Sequence, residues 1–107
     1  MAEGLACYRE EKFSLTHEHW EAVWLASEEP EKTFLQALIQ ITAAFRHLQR
    51  GNALGASSLL TAALRRLEPF PPVFEGVSVI PLRESINVWL GVLGTVAPPI
   101  GLLVPNI

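Results

Sequence analysis

Cysteine is nearly absent: Cys7 is the one example in 107 residues, so no disulfide can form within the chain and a cytoplasmic setting is expected. Charge is sparse as well, at 18% of residues against 50% hydrophobic, a balance that excludes disorder and leaves apolar side chains in surplus. Basic residues are too few for a non-specific nucleic-acid binder, because a formal net charge of -3 gives no broad face to neutralise phosphates. Arg46, Arg50, Arg65 and Arg66 fall near expected helix ends, where the helix dipole favours cations anyway. No nucleic-acid partner is therefore expected. The sequence has no glycine loop of the kind that cradles phosphate, no serine in a G-x-S-x-G elbow and no internal repeat of 20 to 50 residues. These absences remove the common nucleotide-binding, serine-hydrolase and solenoid readings.

What is present is helical periodicity. The pattern predicts an all-α fold, a compact bundle of about five helices with a central antiparallel helical hairpin. Residues 1–107 form one helical domain, with a core over about 5–94 and an apolar, proline-containing tail over 95–107. A short first helix is expected over residues 2–12, and a second from Ser14 or Thr16 to about Ala26, packed through Leu15, Trp20, Val23 and Trp24. The third and longest is expected to open near Pro30, with Glu29 and Glu31 at its positive end, and from Thr33 to Arg50 it carries Phe34, Leu38, Ile41, Phe45 and Leu48 at the spacing of a buried stripe. Gly51 supplies a left-handed stop and Asn52 a cap for the fourth helix, Ala53 to Leu67, which is expected to bury Leu60, Ala63, Leu64 and Leu67. Pro69, Pro71 and Pro72 forbid continuation, so residues 68–79 are expected as a loop pinned by Phe70, Val73 and Phe74. A strand over Val77 to Ile80 would lack a partner. Pro81 opens a fifth helix with Leu82, Ile86, Trp89, Leu90 and Leu93.

The chemistry-bearing side chains concentrate in H-E-H-W-E-A-V-W, His17 to Trp24. As helix, this stretch places His17, Glu21 and Trp24 on one face and turns Glu18 away. An imidazole and a carboxylate four residues apart suit a divalent metal ion, and His47 would complete a two-histidine, one-carboxylate set if the second and third helices are antiparallel neighbours. The competing reading is a buried hydrogen-bonded network of His17, Glu21 and His47 with Gln36 or Gln40, locking two helices together without chemistry. Gln36, Gln40, Ala43 and His47 form a second, polar stripe on the third helix. The candidate polar site is thus His17, Glu18, Glu21, Trp24, Gln36, Gln40 and His47.

Three blocks carry a family resemblance: F-x-x-x-H-E-x-x-E-x-x-W from Phe13 through His17, Glu18 and Glu21 to Trp24, F-L-Q-x-L-I-Q from Phe34 to Gln40, and H-L-Q-R-G-N from His47 to Asn52. In this order they resemble the small bacterial and archaeal family catalogued as domain of unknown function 309, over roughly residues 5 to 90. The resemblance implies a compact all-helical protein in which His17, Glu18, Glu21, Trp24, Gln36, His47 and Gly51 matter, and it implies no activity. The sequence departs from the family pattern mainly after Trp89.

The leading expectation is a non-catalytic structural or protein-interaction module without a cofactor. The alternative is a metal-dependent hydrolase or oxidase using His17, Glu21 and His47 with a divalent metal. No charge occurs from Ser85 to Ile107, but Gly91, Gly94, Gly101 and the Pro98-Pro99 pair interrupt the segment, so a membrane span is not expected. An apolar tail of this kind is instead expected to lie in a groove, making a homodimer or binding another protein partner.

Overall fold

The computed structural model describes residue 8 and residues 13–93, in the order α1 (Phe13–Ala26), α2 (Glu31–Gln49), α3 (Ala53–Leu67), β1 (Val73–Phe74), β2 (Val77–Ser78) and α4 (Val79–Leu93). The fold is mostly helical, with four helices among the described residues. The expected first helix over residues 2–12 lies outside the described residues except for Tyr8, which is helical and buried against Trp20 with ring centroids 6.0 Å apart. Cys7 and the tail over 95–107 also lie outside them.

α1 and α3 pack against α2, while α4 packs mainly against α3, and the sequence shows why α2 is central. Phe34, Leu38, Ile41 and Phe45 form the expected stripe and are all buried, while Leu48 is partly buried at its end. Leu35, Ala37, Ile39, Thr42 and Ala44 are buried too, because α1 and α3 cover α2 from different sides and one stripe cannot serve both. Thr42 meets its hydroxyl requirement locally, donating to the Leu38 carbonyl at 3.0 Å. On α3, Ala56, Leu60, Ala63 and Leu67 are buried; the two alanines keep that face narrow, and Leu64 is only partly covered. Trp89 of α4 meets Phe45 edge-on at 5.1 Å. Arg46 and Arg83 each bury the Nε atom without a hydrogen-bond partner while the residues as a whole stay half-exposed, the pattern of a long side chain laid along apolar surface.

The turn between α2 and α3 follows the expected chemistry. Gly51 has φ +78°, a conformation that a side chain would strain, and the Asn52 side chain accepts from the Gly55 amide at 3.0 Å. α2 opens at Glu31 directly after Pro30, as expected, whereas α4 begins at Val79 rather than Pro81.

The loop reading of residues 68–79 is corrected. Val77 and Ser78 find a partner in Val73 and Phe74, paired antiparallel with Val73 opposite Ser78, across a tight turn in which Glu75 and Gly76 have φ of 50° and 75°. Two positive φ values in succession make the turn whose twist matches a two-stranded ribbon. Val73 does not pin the chain, being 64% exposed; Val77, on the other strand, is fully buried. Phe70 and Phe74 do pin it.

Candidate functional site

The structure does not gather the sequence-derived site residues into one cluster. It distributes them over three places. His17 and Glu21 are together on α1, with Nδ1 and Oε2 3.3 Å apart and side chains 26% and 53% exposed, a surface pair that contributes a few tenths of a kcal/mol when His17 is protonated. Glu18 is exposed on the other side, as expected.

His47 is elsewhere. Its Nδ1 lies 3.2 Å from Asn52 Nδ2, and its carbonyl accepts from the Asn52 amide at 2.8 Å, so it belongs to the turn that closes α2. The physical reason is register. Four residues join α1 to α2, so the two helices run in opposed directions, with Trp24 meeting Lys32 near the connection. Counted away from that contact at about 1.5 Å per residue, His17 falls near residue 40 of α2 and His47 about 10 Å beyond it. Among the described residues no three His, Cys, Asp or Glu side chains come together in a way that could hold a metal ion, so His17, Glu21 and His47 do not form a ligand set. Nor do they form a buried network with Gln36 and Gln40, since none of the five is fully buried.

The third place is a cleft of about 380 Å³ lined by Trp24, Glu29, Lys32, Thr33, Gln36 and Arg66. The end of α1 contributes Trp24, the first turns of α2 contribute Lys32, Thr33 and Gln36, and the last turn of α3 contributes Arg66. The Lys32 ammonium sits 4.6 Å from the centre of the Trp24 ring, a cation-π contact of about 0.5 to 1 kcal/mol at a half-exposed site. Arg66 donates from Nε to Gln40 Oε1 at 3.1 Å, which holds the plane of the guanidinium and leaves both terminal amino groups without a hydrogen bond to any described residue. The Gln36 amide has none either. Glu29 accepts a short hydrogen bond from the Thr33 hydroxyl.

Glu29 and Thr33 are also walls of an adjoining, larger hollow of about 490 Å³ completed by Pro30, Pro69, Phe70, Pro71 and Phe74. Its base is aromatic. Phe34 is fully buried and meets Phe70 and Phe74 edge-on at 5.1 and 4.8 Å, while Phe70 and Phe74 stack at 4.9 Å. The two hollows thus adjoin across Glu29 and Thr33, with Lys32 and Arg66 bordering one and Phe70 and Phe74 the other.

Trp24, Gln36 and Gln40 were legible as site residues; Lys32, Arg66, Phe70 and Phe74 were not. Arg66 has an ordinary explanation at a helix C-terminus, and only the return of α3 along α2, which brings residue 66 to residue 40, reveals it as a wall of the cleft.

Among the described residues no helix is long and apolar enough to cross a membrane. The fold defines a small, mostly helical protein with two adjoining hollows on its surface. The chain belongs to the family described as domain of unknown function (DUF309), whose profile matches residues 1–59. That segment covers α1, α2 and the start of α3, and it stops before Arg66, Phe70 and Phe74. No curated protein and no solved structure matches the chain.

Proposed function

We propose that this protein is a non-catalytic, cytoplasmic protein-interaction module whose groove docks a segment of another polypeptide. The observation that carries this reading is that two hollows share the Glu29 and Thr33 walls: Lys32, Gln36 and Arg66, which keep hydrogen-bond donors unused by the described residues, adjoin an apolar, aromatic hollow around Phe70 and Phe74. A polar rim beside an apolar anchor site is the usual anatomy of a protein-docking surface. The fold serves as the frame, with α2 and α3 as its central antiparallel hairpin and residues 2–12 as a fifth helix. The tail over 95–107, apolar and proline-containing, supports the same kind of role, with a homodimer as its simplest form. The metal-dependent alternative is not supported by the separation of His47 from His17 and Glu21.

The test is position-dependent photo-crosslinking in cells. A photoreactive residue at Pro71, exposed in the wall of the aromatic hollow, is expected to give a discrete protein adduct, while one at Leu54, 83% exposed at the start of α3, is expected to give none. Adducts from neither position, together with stoichiometric zinc, iron or manganese in untagged protein that is lost in His47→Ala, would overturn the reading in favour of the metal enzyme.

A further inference from the structure

We infer that the groove recognises an extended peptide in which an acidic side chain precedes or follows a proline or other apolar residue by about three positions. This rests on the interaction reading and adds the chemistry of the partner. At the cationic end Lys32 and Arg66 face one carboxylate, Glu29, which already accepts from Thr33. An arginine whose Nε is held by Gln40 presents its remaining donors in a fixed plane, the geometry that receives a carboxylate. Gln36 adds an uncommitted amide and Trp24 a ring face beside it. At the other end Phe70 and Phe74 lie half-exposed between Pro30, Pro69 and Pro71, an aromatic and proline surface suited to a proline-containing segment in extended conformation.

The spacing follows from α2. Gln36 and Pro30 mark the two ends of the groove on that helix, and six residues of helix span roughly 9 Å, which is about three residues of extended chain. Glu29, shared by both halves, disfavours a second acidic residue between them. The same carboxylate and the net charge of -3 disfavour a polyanion such as nucleic acid. The chain's own tail has no charge from Ser85 to Ile107 and would engage only the apolar half.

The full-length protein is titrated with three fluorescein-labelled peptides: one with an aspartate three residues from a Pro-Pro-Leu unit, its asparagine counterpart, and one of the sequence Thr95 to Ile107. Anisotropy is expected to show the aspartate peptide binding about tenfold more tightly than the asparagine peptide. Arg66→Ala is expected to remove that difference, leaving the asparagine peptide unaffected, which is the signature of a direct pairing in a double-mutant cycle. Pro71→Glu, at an exposed position, is expected to weaken both. Amide shifts of the bound protein should include Lys32, Gln36 and Phe74. Equal binding of the aspartate and asparagine peptides overturns the proposal, as does binding of the tail peptide alone, an outcome that leaves the interaction reading standing. If no peptide binds while the Pro71 crosslink persists, the acidic-proline partner is likewise refuted and the interaction reading is not. If both are lost, both readings fall.

Discussion

The two ends of α2 carry similar side chains in opposite conditions. At the C-terminal end His47, Gly51 and Asn52 are bound into one turn: Asn52 receives the Gly55 amide, its own amide donates to His47, and the Gly51 amide donates to Leu48 at 3.0 Å. At the N-terminal end Lys32, Gln36 and Arg66 surround a cleft with most of their donors unused by the described residues. A polar cluster whose members satisfy one another stabilises; one whose members face outward from a rigid frame is available to a ligand. Both ends carry polar side chains able to donate hydrogen bonds, so polarity alone does not tell them apart.

The contrast depends on a rigid base under the groove, and the largest effect is expected there. Phe34 is fully buried beneath Phe70 and Phe74, so Phe34→Ala should lose about 3 to 5 kcal/mol in urea denaturation and free the aromatic pair above it. A loss under about 1.5 kcal/mol would mean that the residue 69–74 segment holds its place without α2 and that the groove is not pre-formed.

Next in size is the closed end. Asn52→Ala removes the acceptor for the Gly55 amide and the contact with His47, and should cost about 1 kcal/mol in the same measurement. Peptide binding should be unchanged. A variant of full stability, or one that bound the aspartate peptide more weakly, would break the division between a structural end and a binding end.

These effects also separate what could be read from the sequence from what could not. The stripe Phe34, Leu38, Ile41, Phe45 and the Gly51-Asn52 stop were legible because both are local: a 3.6-residue period and a residue that tolerates positive φ. The two-stranded ribbon was not, because strands of two residues are too short to alternate and Glu75 is a non-glycine residue at positive φ. Two of the six residues lining the cleft were legible for the same reason. Trp24 and Gln36 stood out within helical blocks, whereas Arg66 reaches Gln40 across 26 residues of chain and only the packing of α3 on α2 reveals it. His47 misled because two helices known to be neighbours fix a side but not a level, and two turns of register separate it from His17.

The smallest expected effect on stability is the most informative about the open end. Arg66 is exposed and holds one hydrogen bond, to a half-exposed glutamine, and Lys32 makes one half-exposed contact with Trp24. Solvent screens both, so Arg66→Ala and Lys32→Ala should each change unfolding free energy by no more than about 0.5 kcal/mol. Side chains that contribute so little to the fold, yet converge with Gln36 and Trp24 on one cleft, are the ones through which the proposed partner would be held. If Arg66→Ala instead cost more than about 1.5 kcal/mol, the Arg66–Gln40 contact would be a strut tying α3 to α2, and the two ends of α2 would be doing the same structural job.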